Sequence, residues 1–580
     1  MNNKRNEIEN KYKRKNSLIR FKLLEYIPIL VISNLSTLLI LSVDSIVVGN
    51  YVGAEALAAI QIFYPANVLL GVFSAIISNG TAQSLSEGLV KHDFENLKYI
   101  KAAIRKVVII AFFVVAIIQI PIVLIILKSY HLDPSLYEMT KDYAIGIMIA
   151  MPFSIISAVS VCQLQMVGRV KTLMCFAIIE GTLNLVLDLL FVGKLGLGVV
   201  GAGLGSCTAC IVRSMITLYY LYKKTDIHKN TDVKVRKEDV KSIIKSGLPE
   251  ASSILVNAFQ SYVIMKILLV AFTGSSGGTI KSVCAFCSSL VMVAISSLQG
   301  SIRPIFSIMV GSNDKNGLYN SMRIAIRNIL VAVGIITIIM QIKPEIFYHL
   351  HGVKDIPEHG ILSLRLYTTF FIYNGFNTIF RSYFVCRNDA NFSTKLTLIG
   401  NLAMPLFAYA LYKFCSPPYI WLCNAFTAAL ILIANIVRYI GFIKKDKNTS
   451  NQNEEILYLT VPSEKAIEAS KDIEDFIISE GYPRDLANDM GMCMEEMVYY
   501  TIKSQNRFKV NIQIIVNVSN DKAKFVMLDD GQSIKLNENN NHHELELNNY
   551  DVIKKLAKSY DYQYILNMNY TTLNFEHNAH

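Results

Sequence analysis

The chain has 580 residues, of which 52% are hydrophobic and only 17% are charged. Soluble globular chains carry roughly 25% charged residues. The deficit is confined to residues 23–443, where long apolar runs alternate with short polar loops, whereas residues 444–580 have a soluble composition. The net charge of +11 arises largely in the polar loops, where membrane orientation requires it, so nucleic acid is not predicted as a partner. The ten cysteines are scattered and predict neither a disulfide framework nor a metal site.

A membrane-spanning helix needs about 20 mostly apolar residues. Twelve segments meet or approach that length: 24–48, 55–79, 105–127, 140–163, 172–193, 198–221, 248–272, 281–308, 324–342, 361–383, 396–413 and 418–441. The polar, basic N-terminal tail, 1–22, is not followed by a signal-peptidase site, so no removed signal peptide is predicted. The sequence therefore predicts an all-α polytopic membrane protein of twelve transmembrane helices.

A long basic segment divides the twelve spans into two groups of six. This cytoplasmic linker, 222–246, separates an N-terminal six-helix lobe, 23–221, from a C-terminal six-helix lobe, 247–443. The spans and loops follow a similar order in the two lobes, which indicates a duplicated transporter fold with a central cleft.

Basic residues also predict the orientation in the cell membrane. They are concentrated in the N-terminal tail and the linker, whereas three of the opposite loops contain a single lysine each: Lys194, Lys281 and Lys413. Because basic loops remain on the cytoplasmic side, both termini are predicted to be cytoplasmic.

Acidic residues inside the apolar runs are the first indication of function, because burying a carboxylate in a membrane is unfavourable. Asp44 lies near the outer end of its predicted span, where a carboxylate can also snorkel to the interface, so its position alone leaves both interpretations open. Glu180, Asn184 and Asp188 are spaced four apart and share one stripe of the fifth span. Two carboxylates and an amide on one face of an apolar helix require a polar cavity or a cation.

Such carboxylates indicate a class of mechanism. A carboxylate in a low-dielectric cavity can exchange a proton or Na⁺ for an organic cation, as a secondary antiporter does. The chain contains no G-x-x-x-x-G-K-[ST] phosphate-binding loop, which argues against an ATP-driven pump.

Two segments resemble signatures of the MATE (multidrug and toxic compound extrusion) transporters. VDSIVVGNYVGAEALAAI, 43–60, is similar to the first-helix signature, and NLVLDLLFVGKLGLGVVGAGLGS, 184–206, is similar to the N-x-x-x-D stretch and the glycine-rich start of the sixth helix. The resemblance covers about residues 20–443. It implies that the cation- or proton-coupling site is formed by the following residues: Asp44, Asn184, Asp188 and Ser206.

The sequence departs from that family pattern at three places. Some members have acids in the seventh and tenth helices, where this chain has Asn257 and either Asn374 or Asn377. Glu180 is additional, and it could bind a coupling ion or contact the substrate. The resemblance therefore locates coupling in the N-terminal lobe.

After a polar linker, 444–455, residues 456–580 predict a small α/β sandwich with a strand, two helices, paired strands, a short helix at 549–559 and a last hairpin. This order resembles the anti-sigma-factor-type ATPase domain of the histidine-kinase-like superfamily. The resemblance implies nucleotide-binding positions at Glu496, Asp529 and Gly531, with Tyr500 where the family has a magnesium-binding Asn.

The phosphate-binding glycines of that superfamily are missing here, because only Gly481, Gly491 and Gly531 follow Gly441. Backbone that approaches phosphate closely needs glycine, so ATP turnover is not predicted and the chain is not predicted to be an enzyme or to hold a cofactor. Three interpretations of the domain remain: a degenerate regulatory module, a weak nucleotide sensor, or a docking domain for a cytoplasmic protein.

The leading functional expectation is an exporter of organic cations or related amphiphiles in exchange for H⁺ or Na⁺, with the lipid bilayer and a cationic small molecule as partners. One alternative is a lipid-linked saccharide flippase, whose phosphate-binding cavity could use transmembrane Arg213, Arg303 and Arg365. Another is a membrane sensor that signals through residues 456–580.

Overall fold

The structure is a computed structural model, which describes residues 8, 11, 31, 44–90, 94–166, 169–225, 233–311, 315–449, 454–462, 465–505, 511–519, 522–531, 553, 555–565 and 568–576. The predicted first span lies outside these residues except for residue 31 and its last turns. Of the predicted helix 549–559, the structure describes 553 and 555–559. Only 553, 555 and 556 of these are helical and Ser559 begins a strand, so the helix ends earlier than predicted.

The N-terminal lobe begins, within the described residues, with a helical segment at 44–51. Its further helices are α1 (Ala54–Val90), α2 (Phe94–Ser129), α3 (Pro134–Met148), α4 (Met151–Met166), α5 (Val170–Asp188) and α6 (Gly198–Lys224). The axes of α3 and α4 differ in direction by 44°, and the break between the two helices lies within one predicted span. Pro152 explains the break, because it has no N–H to continue the hydrogen bonds of α3.

The C-terminal lobe consists of α7 (Lys237–Ala271), α8 (Ser276–Gly311), α9 (Lys315–Ile342), α10 (Glu345–Leu350), α11 (Gly360–Thr368), α12 (Phe370–Cys386), α13 (Ala390–Phe414), a 3₁₀ turn (Pro417–Trp421) and α14 (Leu422–Thr449). Helix α7 includes the last residues of the predicted linker 222–246, and α14 includes the first residues of the predicted linker 444–455. Both helices extend beyond the apolar window, because hydropathy marks the part that crosses lipid and does not mark where a helix ends.

Eight of the helices among the described residues are long and apolar enough to cross a membrane, or nine if the bent pair of α3 and α4 counts as one span. Their surfaces show why a bilayer is needed. The span Leu97–Ser129 has a mean hydropathy of 3.1, yet only 17% of its most apolar stretch is buried inside the protein. Side chains such as Phe113, Ile117 and Ile125 are exposed on it. An apolar surface of this extent has to be covered by lipid.

Each lobe has its own apolar core. One cluster joins the helical segment 44–51 to α1 through α4 and α6, includes Val192, and reaches Ile243 and Met265 of α7. A second cluster is built from α7 through α14. The two clusters follow the predicted lobes in large part, but they are not separate, because α1 packs along α7 and Leu57 of α1 belongs to the second cluster.

The C-terminal domain is a five-stranded antiparallel sheet of order β1-β2-β3-β5-β4, with α15 (Ala466–Ser479) and α16 (Arg484–Gln505) on one face. Its strands are β1 (Glu454–Pro462), β2 (Asn511–Ser519), β3 (Lys522–Asp529), β4 (Ser559–Ile565) and β5 (Met568–Glu576). The predicted strands and two predicted helices are present at these places. The structure shows a small sheet domain, which leaves the ATPase fold a prediction.

The second face of the sheet packs against the C-terminal lobe. Side chains alternate between the two faces of a strand. Ile514 and Phe525 therefore face α15 and α16, whereas Ile515, Val526 and Leu528 belong to the cluster of the C-terminal lobe. The Lys524 ammonium also donates to the carbonyl oxygen of Gly311, the last residue of α8. The sheet is thus a layer between its own helices and the membrane domain.

Candidate functional site

Asp188 lies where α5 changes to a π-helix, Leu189–Lys194. The wider turn is marked by the i to i+5 hydrogen bond from the Leu195 N–H to the Leu190 carbonyl oxygen, 2.8 Å. Such π-helical turns often occur at functional sites, because they change the direction in which side chains leave the helix. The Asp188 side chain is completely buried.

Three of the predicted site residues form a hydrogen-bonded group around Asp44. The Asn184 amide nitrogen donates to Asp44 Oδ1 at 2.6 Å, and the Ser206 hydroxyl donates to Asp44 Oδ2 at 2.5 Å. These contacts join the helical segment 44–51 to α5 and α6, so that residues far apart in the chain converge inside the N-terminal lobe.

Asp188 is near Asp44 but has no donor of its own. Its carboxyl group interacts with that of Asp44. Among the described residues, neither oxygen of Asp188 accepts a hydrogen bond, and the same is true of the Asn184 amide oxygen. Three buried acceptor oxygens beside a second carboxylate form a site that a proton or a cation would complete.

Gly205 and Tyr143 shape this group. A Cβ atom at Gly205 would lie 2.2 Å from Asp188 Oδ1, so α6 must have glycine there for the carboxyl group to fit. Tyr143 of α3 is buried next to both carboxyl groups and packs edge-on against Phe63. The sequence pattern does not single out Tyr143, because a tyrosine in an apolar span looks the same whether it packs in the core or contacts a site.

Glu180, which was predicted with the coupling residues, lies two turns before Asp188 on α5 and pairs with Arg213. The distance from Arg213 Nη1 to Glu180 Oε2 is 2.5 Å, and the side chains are 28% and 12% exposed. Glu180 lines the same cavity as Asp44 and Asn184 but has a cationic partner within the protein. The partner could not be read from the stripe on α5, because it comes from α6.

A cavity of about 630 Å³ lies between the two lobes. From the N-terminal lobe it is lined by Asp44, Tyr64, Glu180 and Asn184, among others, and from the C-terminal lobe by Gln260, Lys281, Ser282 and Trp421, among others. Ligand sites of transporters with repeated halves lie at such an interface.

The lobes meet closely beyond one end of this cavity. The Asn50 amide donates to the Leu350 carbonyl oxygen at 2.9 Å, and the Thr279 hydroxyl donates to the Ala54 carbonyl oxygen at 2.8 Å. A Cβ atom at Gly49 would lie 2.1 Å from the His351 carbonyl oxygen, so the backbones can approach this closely only because residue 49 is glycine. This end, which we call the seal, is opposite the end where the sheet domain packs.

In the C-terminal domain, Glu496 lies on α16, Asp529 ends β3, and Gly531 follows it. The buried Asp529 Oδ1 accepts from the Asn569 amide at 2.6 Å and from the Gly531 N–H at 2.9 Å. Burial raises the pKa of Asp529 to about 6, against the opposing effect of these two donors. Of the side chain of Tyr500 nothing is described.

Comparison with known proteins agrees with this architecture. The family model MatE matches residues 29–190. The probable multidrug resistance protein YoeA of Bacillus subtilis is 22% identical over 309 residues, 52% of this chain and 66% of that protein. The multidrug export protein MepA of Staphylococcus aureus is 19% identical over 416 residues, 70% of this chain and 90% of that protein. This chain thus spans slightly less than two thirds of the Bacillus relative.

Solved structures show the same fold. A multidrug resistance MATE family transporter of the MOP superfamily in its inward-facing conformation superposes with a TM-score of 0.66, at 20% identity, over 72% of this chain and 99% of that chain. An outward-facing structure of such a transporter gives a TM-score of 0.55 at 19% identity, over 74% of this chain and 96% of that chain. The membrane domain therefore has the fold of these MATE family transporters.

Proposed function

We propose that this chain is a secondary active antiporter that exports organic cations or related amphiphiles in exchange for H⁺ or Na⁺. In this proposal it crosses the cell membrane twelve times, in two lobes of six helices, with both termini in the cytoplasm. The coupling residues are Asp44, Asn184 and Asp188, with Ser206 and Tyr143 in support. The named relatives are multidrug resistance or export proteins, which favours the same class of activity.

The observation that carries the proposal is the pair of carboxyl groups with three acceptor oxygens left without donors. In the arrangement described here, the completely buried Asp188 would have to be protonated or bind a cation, because an ionised pair at this depth is strongly unfavourable. Opening of the cavity to the other side of the membrane would then exchange that ion for substrate. The direction of transport follows from the ion gradient.

The state of the cavity supports alternating access. The seal closes the lobes at the end opposite the sheet domain. If the termini are cytoplasmic, the seal is on the outer side. Access from the cytoplasm would then require an opening away from the close contact of α1 with α7, where a Cβ atom at Gly80 would lie 2.0 Å from the Ile243 carbonyl oxygen.

Transport in vesicles tests the proposal. The full chain, reconstituted in liposomes, should extrude a fluorescent organic cation when a proton or a sodium gradient is imposed. Asp188→Asn should reduce gradient-driven transport to the rate seen without a gradient, because the amide cannot exchange a proton. Glu138→Gln is the matched control, since Glu138 pairs with Lys141 on the exposed surface of α3. Unchanged transport in Asp188→Asn would contradict the assignment.

The flippase alternative has less support from the geometry. Of the described residues that line the cavity, none is Arg213, Arg303 or Arg365, so the cavity lacks the arginines that a phosphate-bearing lipid would need. Lys281 is the single cation among the described lining residues.

We propose a regulatory role for residues 456–580, because their sheet covers the last turn of α8 on the proposed cytoplasmic side. Deletion of residues 456–580 should change the rate of transport but preserve its dependence on the ion gradient. If the chain were a sensor, the deletion would abolish signalling and Asp188→Asn would not affect it.

A further inference from the structure

Three charged side chains are among the described residues that line the central cavity: Asp44, Glu180 and Lys281. Glu180 has Arg213 as its partner, and Asp44 accepts two hydrogen bonds within the N-terminal lobe. Lys281 is the charge of the C-terminal lobe, in the second turn of α8. The cavity therefore has acids on one wall and a cation on the other.

The ammonium group of Lys281 has only weak interaction partners among the described residues. The polar atom described near its ammonium is the Met265 sulfur at 3.7 Å, and a thioether is a poor acceptor. The ammonium lies 6.0 Å from the centre of the Tyr64 ring, at the limit of a cation–π interaction. Within the described part of the chain, Lys281 forms no ion pair. A partly buried ammonium with such partners is available to an anion.

Ser282 provides a second, independent observation on the same wall. It lines the cavity and is 1% exposed, and its hydroxyl has no hydrogen-bond partner among the described residues. A buried hydroxyl without a partner is unfavourable unless a ligand or water supplies one. An ammonium and a hydroxyl without a described partner, both lining the cavity, are donors that a carboxylate group can use.

We propose that Lys281 and Ser282 bind an anionic group of the substrate, so that the preferred substrate is an amphiphile with a cationic and an anionic group. The cationic group faces the acids of the N-terminal lobe, and the anionic group faces α8. This inference rests on the proposed antiport function, because it narrows the substrate class of the same cavity. The signal in the sequence is a lone lysine that resembles a loop residue and that the structure places inside a helix.

A matched pair of dyes tests the proposal. The probes are a rhodamine with a free carboxylate, which is zwitterionic, and its methyl ester, which is a cation of nearly the same shape. Binding to the full chain in lipid nanodiscs is measured by fluorescence anisotropy. Trp421 is the single tryptophan of the chain and lines the cavity, so quenching of its fluorescence reports binding there.

The wild type should bind the zwitterion more tightly than the ester. Lys281→Met should weaken binding of the zwitterion about tenfold or more and leave the ester unchanged or slightly tighter, because one charged hydrogen bond is lost and a repulsive charge is removed. Lys281→Arg should restore binding of the zwitterion. Ser282→Ala should weaken binding of the zwitterion by a smaller factor than Lys281→Met does. Binding of the ester also shows that each variant is folded.

Two results would overturn the inference: equal effects of Lys281→Met on both dyes, or binding without quenching of Trp421. Transport separates this inference from the antiport proposal. If no gradient drives export of the ester, the antiport proposal is wrong, whereas the ratio of dye affinities still decides whether Lys281 binds an anion.

Discussion

In the N-terminal lobe, the buried polar residues around Asp188 leave acceptor oxygens without donors, whereas in the C-terminal lobe the amides of Asn377 and Asn435 satisfy each other and the backbone. The Asn435 amide donates to Asn377 Oδ1 at 2.9 Å, and the Asn377 amide donates to the Ala428 carbonyl oxygen at 2.8 Å. The first arrangement needs a proton or cation from outside, and the second does not. Two lobes of similar architecture can thus differ completely in their need for an ion.

The largest loss of ion-coupled transport is expected from a substitution at Gly205. Gly205→Ala places a methyl group against Asp188 Oδ1, so the carboxyl group must move away from Asp44 and ion-coupled transport should be lost. Vesicle transport under an imposed gradient is the measurement. Gly71→Ala is the control, since a Cβ atom there meets nothing within 4 Å, and it should transport normally. Normal transport by Gly205→Ala would show that the close approach is unimportant.

The Glu180–Arg213 pair tests whether every acid of the N-terminal lobe needs an external ion. Arg213→Met should lower the free energy of unfolding by about 3 kcal/mol, because it leaves a largely buried carboxylate unpaired. Replacing Glu180 with Gln in that variant should recover most of the loss. A double-mutant cycle on thermal unfolding in detergent gives the coupling energy. If the two changes are additive, Glu180 is stabilised by something other than Arg213.

A titratable group also lies in the sheet that packs on the C-terminal lobe, outside the membrane. Burial raises the pKa of Asp529 to about 6, whereas the pKa of an Asp in the unfolded chain is about 4. The contribution of Asp529 to stability is therefore fully present below about pH 4 and is lost as the pH rises through about 6. The difference between the folded and unfolded pKa values of Asp529 corresponds to roughly 3 kcal/mol of stability. Asp529→Asn should remove this dependence.

Hydrogen exchange of the β3 and β5 amides in the full chain, corrected for intrinsic rates, measures the effect of Asp529. Wild-type protection should decrease between about pH 4 and 6, and that of Asp529→Asn should stay constant. An equal decrease in both proteins would assign the pH dependence to another group.

The smallest effect is expected at the amides of the C-terminal lobe. Asn435→Ala should lower the free energy of unfolding by about 1 kcal/mol, the contribution of one hydrogen bond, and should leave coupling to the ion unchanged. Thermal unfolding and vesicle transport, measured on the same sample, check both statements. A loss of coupling would show that the C-terminal lobe takes part in ion exchange and would remove the contrast between the lobes.

The sequence by itself predicted where membrane and soluble regions meet, the two lobes, and the stripe on α5, because hydropathy and helical spacing are local properties of the chain. It also placed the strands of the last domain, whose alternating pattern is local too.

The tertiary structure alone decided the partners across helices. It placed Asn184 and Ser206 on Asp44, paired Glu180 with Arg213, added Tyr143, and turned Lys281 from a loop residue into part of the cavity wall. Sequence spacing determines which side chains share a helix face. Which faces meet depends on the packing of whole helices, and the site is formed by faces of different helices.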